Sequence, residues 1–109
     1  MKTYAILLAA LLATSASAAD PDGAAIFKAK CRFCHGPEGT PSAAMAKQGV
    51  RDFRNPEWVK ATPKEKIREI IEEGGAKGTL MRSFRKELSP AEMDAVAAFV
   101  VSLGKAESE

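Results

Sequence analysis

KAKCRFCHGPEG, residues 28–39, holds both cysteines of the chain and its single histidine. Cys31 and Cys34 stand three apart and His35 follows at once, so the soft ligands of a 109-residue protein fall within five positions. On a helix, residues three apart are neighbours on one face, with Cβ atoms about 5–6 Å from each other. The residues upstream place the stretch on such a helix. Asp20 is a helix N-cap and Pro21 suits the first turn, which predicts a helix from there toward Cys34.

Downstream, Thr62-Pro63-Lys64-Glu65 and Ser89-Pro90-Ala91-Glu92 both have capping-box spacing. The first opens a helix striped by Ile67, Ile70 and Ile71, with Gly74 as its stop. The second places Met93, Val96, Ala97, Val100 and Leu103 on one face, with Gly104 as its stop. Asn55-Pro56 starts a short helix carrying Trp58. Two glycine-bearing loops, residues 36–53 and 74–84, lie between, and neither alternates with period 2. The expectation is an all-α domain of three to four short helices. Loops of this length usually serve function or wrap around something. They carry Pro41, Met45, Val50, Phe53, Leu80, Met81 and Phe84, so a large apolar ligand would give those side chains a partner.

The amino terminus combines Lys2, an apolar run over residues 5–13 and the small-residue site Ala16-Ser17-Ala18. These are the parts of a secretory signal peptide, and nine apolar residues fall well short of the roughly 20 a spanning helix needs. Cleavage is expected after Ala18, leaving residues 19–109 as one domain, exported to the periplasm without stable membrane insertion. Without Lys2 the mature chain has 15 basic and 14 acidic residues, a net charge of +1. A nucleic-acid binder would show a strongly basic face. A domain this small often relies on disulfides, a metal or a cofactor.

Four readings of Cys31-Arg32-Phe33-Cys34-His35 compete. A Cys31–Cys34 disulfide suits an exported protein, but C-x-x-C exchange chemistry normally sits in a βαβ context, and no strand is expected here. A structural zinc site takes four Cys or His ligands, and the chain has three. The pattern can also arise by chance. Fourth, C-x-x-C-H denotes covalent c-type haem attachment: two thiols on one helical face each form a thioether with a porphyrin vinyl group, and His35 supplies a nitrogen to iron. Both cysteines are then consumed, and export fits, because bacterial haem attachment of this kind takes place outside the cytoplasm.

Through GAAIFKAKCRFCHG, GTLMRSF and LSPAEMDAVAAFVVSL the chain resembles the class I c-type cytochromes in their small bacterial single-haem form, over nearly all of the mature length. The resemblance implies long loops wrapped around one covalent haem c, with thioethers at Cys31 and Cys34 and iron held by His35 and Met81. It implies a crossing of first and last helices in which Gly23 and Phe27 meet Phe99. It also implies a loop carbonyl accepting the His35 Nδ1 proton, for which Pro41 is the candidate, and a haem pocket drawn from Pro41, Met45, Phe53, Trp58, Leu80 and Phe84. The family commonly has Met-Pro-x-Phe at the sixth ligand; here Met81-Arg82-Ser83-Phe84 lacks the proline, which leaves the backbone less restricted.

The function implied is one-electron carriage, with no catalysis, between transient redox partners. Lys28, Lys30 and Arg32 beside the attachment site, with Arg82, Arg85 and Lys86 beside Met81, would steer acidic ones. The alternatives are a haem-based ligand binder or sensor with a labile sixth site, and an electron-accepting subunit of a larger redox enzyme.

Overall fold

Six helices and no strand make up the described residues, 20–108, of the computed structural model. In chain order they are α1 (Gly23–Lys30), α2 (Arg32–His35), α3 (Ala43–Lys47), α4 (Pro56–Ala61), α5 (Lys64–Glu73) and α6 (Pro90–Ser108). The expected signal peptide over residues 1–18 lies outside the described residues. Among those described, no helix is long and apolar enough to cross a membrane.

The local signals act with some differences. Ser89 Oγ accepts from Glu92 N at 3.1 Å and Glu92 Oε1 accepts from Ser89 N at 2.9 Å, so the reciprocal capping box of α6 forms as expected. Asn55 caps α4 by accepting from Glu57 N at 3.0 Å. The first helix, however, is capped by Asp22, whose Oδ1 accepts from Ala25 N at 3.1 Å, and not by Asp20. At α5 no side chain caps the start, so the Thr62 box does not form. Helix α3 lies inside what reads as loop, capped by Ser42 accepting from Met45 N at 3.3 Å.

Helix α6 packs against α1, α4 and α5, and the core gathers along it. Met93, Val96, Ala97 and Val100 of α6 are buried with Phe27 of α1, Ile67 and Ile71 of α5, and the loop residues Phe53, Phe84 and Leu88. Each large side chain so buried contributes about 1.5–3 kcal/mol. The α1–α6 crossing is close: a Cβ added at Gly23 would lie 2.2 Å from the Ala95 carbonyl oxygen, and the Phe27 and Phe99 rings are 5.2 Å apart. Gly104 does not stop α6, which runs on to Ser108. It is buried where α4 presses in, and a Cβ there would lie 2.2 Å from Val59 Cγ2. Its small size admits Val59; it is a packing glycine.

Candidate functional site

Backbone hydrogen bonding carries helical geometry through the cysteine stretch. Cys31 N donates to Phe27 O at 2.8 Å, His35 N to Cys31 O at 3.0 Å and Gly36 N to Arg32 O at 2.8 Å. Cys31 and Cys34 are therefore neighbours on one helical face. Both are half-buried free thiols. Burial, and then the neighbouring Cys34, push the Cys31 thiol up to about 11. A thiol so raised is almost wholly protonated at neutral pH, the opposite of what disulfide-exchange catalysis needs. Nor do three or more His, Cys, Asp or Glu side chains of the described residues gather as a metal cluster, which counts against structural zinc.

His35 ends α2 and is 9 % exposed. Its Nδ1 lies 3.1 Å from the Arg51 carbonyl oxygen, so Nδ1 carries the proton and Nε2 keeps its lone pair. Burial holds the imidazole below its ordinary pKa, against the opposing effect of the Arg51 bond, and so favours the neutral ring that ligates metal. The ring stacks on Phe53, centroids 4.1 Å apart with planes at 18°. Phe53 in turn meets Trp58 at 5.2 Å and Phe27 at 6.1 Å.

The Nδ1 acceptor is thus Arg51 and not Pro41, which is half-buried. The cause is how the loop returns. Gly36, at φ +83, turns the chain so tightly that a Cβ would lie 1.9 Å from the Thr40 carbonyl oxygen, a conformation open to glycine. Thr40 Oγ1 then donates to Asp52 Oδ1 at 2.9 Å, and Phe53 N donates to Gly39 O at 2.9 Å. Those bonds lay residues 51–53 beside 39–40 and bring the Arg51 carbonyl to the ring. A backbone carbonyl leaves no residue-type signal in a sequence; the signal that could have found this turn is the polar pair Thr40 and Asp52.

Met81 is half-buried and packs against the core, its carbonyl accepting from Gly75 N at 3.0 Å. Phe84 is buried, with the Arg82 guanidinium 4.4 Å from its ring centroid. Leu80 is 59 % exposed and Phe33, between the cysteines, 86 % exposed. Met45 sits half-buried on α3, apart from the core cluster, whereas Met93 lies within it at 2 % exposure. The structure therefore brings His35, Phe53 and Trp58 into contact, and sets Met81 and Phe84 in a second loop against the core.

The expected ring of six cations is thinner than the sequence suggests. Lys30 and Arg82 both pair with Glu87, at 4.0 and 2.9 Å, and Arg85 pairs with Glu73 and, at 3.8 Å, with Glu72. Arg82's hydrogen bond is the main reason the Glu87 carboxyl sits below its ordinary pKa. Lys28, Arg32 and Lys86 have no ion pair among the described residues.

The donor set fits haem c: two thiols on one helical face, a neutral imidazole with Nε2 free beside them, and a thioether in a glycine-bearing loop. Comparison with known proteins agrees. Residues 18–100 match the family model described as cytochrome C oxidase, cbb3-type, subunit III. The chain is 31 % identical over 94 residues to the Cbb3-type cytochrome c oxidase subunit FixP of Sinorhizobium medicae (strain WSM419), covering 80 % of this chain and 31 % of that one. It thus spans about a third of that relative's length. Among solved structures, the KustC0563 c-type cytochrome superposes with TM-score 0.67 at 33 % identity, over 75 % of this chain and 96 % of that one. A point mutant of the same cytochrome gives 0.66 at 34 % identity, over 75 % and 98 %. The chain belongs to the cbb3-type subunit III family, a c-type cytochrome whose cofactor is covalently bound haem c.

Proposed function

We propose that this cytochrome is an exported, soluble electron carrier of the periplasm, its haem attached through Cys31 and Cys34 and its iron held between His35 Nε2 and Met81 Sδ. The bound group supplies an iron that gains and loses one electron. In this chain His35 and Met81 would both be committed to that iron, so that it would exchange electrons and take no substrate. The observation that carries the reading is His35: the chain's single histidine, buried, with Nδ1 committed to Arg51 and Nε2 left for iron. A His/Met pair also favours a higher reduction potential than more basic ligand pairs.

Partner docking is expected to be brief and to bury little area. Lys28, Arg32 and Lys86 are the cations left to steer an acidic partner, so the salt dependence of its association rate should be shallow. One observation favours a second reading, an electron-accepting subunit of a larger redox enzyme: the matched FixP is itself an oxidase subunit.

Fractionation and intact mass test the proposal together. The haem-bearing species should leave with the periplasmic fraction, lack residues 1–18 and carry the mass of one haem. A species retaining Met1 in the membrane fraction contradicts export and cleavage, and co-purification with an oxidase under low salt favours the subunit reading.

A further inference from the structure

A helix end leaves its last four carbonyls without intrahelical partners; at α5 the C-cap Gly74 takes the Ile70 carbonyl, and the Met81 loop takes those of Ile71 and Glu72. Gly74 N donates to Ile70 O at 2.7 Å, Phe84 N to Ile71 O at 2.9 Å and Ser83 Oγ to Glu72 O at 2.5 Å. Beside these, Gly75 N donates to Met81 O at 3.0 Å, and the Arg85 guanidinium pairs with Glu73 and Glu72. Helix α5 is itself anchored: Ile67 and Ile71 are buried, and Arg68 joins Glu72 to Asp94 of α6. Residues 81–85 are thus fastened to a fixed part of the core at several points.

We propose that Ser83 and Arg85 are positioning residues for the Met81 thioether, holding residues 81–85 against the carboxyl end of α5. The inference rests on the reading of Met81 as an iron ligand. Position 82 carries no proline to restrict the backbone, and Arg82 is occupied elsewhere, stacked on Phe84 and paired with Glu87. Restraint on the loop therefore comes from its bonds to α5. Of those, only the Ser83 and Arg85 bonds are made by side chains, so substitution removes them and leaves the backbone bonds in place. A loosened loop leaves the sulfur off the iron for a larger fraction of the time, and a competing ligand gains affinity by that factor.

The test uses ferric holoprotein with Ser83→Ala, Arg85→Ala, the double variant, and Ser83→Thr, which keeps a hydroxyl. Imidazole is titrated as the probe, and the far-red charge-transfer band of methionine-to-ferric-iron ligation is followed during heating. Ser83→Ala should bind imidazole about fivefold more tightly, the size of one net hydrogen bond, and lose the band at lower temperature. The double variant should exceed it, and Ser83→Thr should stay within about twofold of the parent. Imidazole affinity unchanged in Ser83→Ala and the double variant overturns the proposal, as does a lowered unfolding temperature with unchanged affinity. Met81→Ala separates the two ideas: if it keeps the band, the ligand assignment falls, whereas unmoved Ser83 and Arg85 variants overturn only the positioning role.

Discussion

Replacing Met81 by alanine is expected to abolish the far-red band of the ferric protein and to open the iron to added ligands. A minor, open state of a two-state site is typically populated at about 0.1–10 %. Removing the competing thioether should therefore raise imidazole affinity by roughly 10- to 1,000-fold, and the reduction potential should fall as the His/Met pair is lost. The other two methionines of residues 19–109 are the controls. Met93 is 2 % exposed among the α6 core residues, so Met93→Ala should cost about 2–5 kcal/mol in stability yet keep the band. Met45 on α3 is half-buried and apart from the core cluster that Met81 packs against, and Met45→Ala should also keep it. Loss of the band in either control, with survival in Met81→Ala, would reassign the ligand.

The second large effect belongs to the cysteines. In Cys31→Ala/Cys34→Ala no thioether can form, so any haem retained should extract into acidified acetone, whereas the parent's haem should stay with the protein. Each single variant keeps one thiol and should give a reduced yield with one thioether. The stability consequence is severe for a domain this small. Small domains are stable by about 5–15 kcal/mol, and even a reversible ligand at 1,000 times its Kd contributes about 4.1 kcal/mol. Losing the group that residues 36–53 and 74–84 are expected to enclose should leave the double variant largely unfolded, readable as lost helical circular dichroism. Haem of the parent protein that extracts freely would defeat the thioether assignment.

The parts of this account legible in the sequence are those that depend on neighbours along the chain. The α6 capping box is one, because Ser89 and Glu92 satisfy each other within one turn. The attachment stretch is another, because its spacing and its helix are both local. Gly23 and Phe27 were legible by resemblance, and the close α1–α6 crossing places them against α6. Misreadings arise where tertiary contact decides. Gly104 reads as a helix stop, but the approach of Val59 explains it. Asp20 and Asp22 are both acceptable caps by residue type, and only the backbone path selects Asp22. The Arg51 carbonyl at His35 depends on a loop folding back through Gly36 and Asp52. The cations beside Met81 and beside the cysteine stretch look free in sequence, yet Arg85 finds Glu73 twelve positions away and Lys30 finds Glu87 across the fold. Helix α3 did leave a trace, the Ser42 cap, in a segment too short for its periodicity to register.

If His35 and Met81 are both iron ligands, as proposed, the iron exchanges electrons and admits no added ligand. Exposing the reduced wild-type protein to carbon monoxide under anaerobic conditions tests it most directly. The expected result is a low-spin ferrous spectrum that stays unchanged under the gas, and full reoxidation by one equivalent of a one-electron oxidant. A high-spin ferrous spectrum that converts at once to a carbon monoxide complex would contradict it and make the protein a ligand binder.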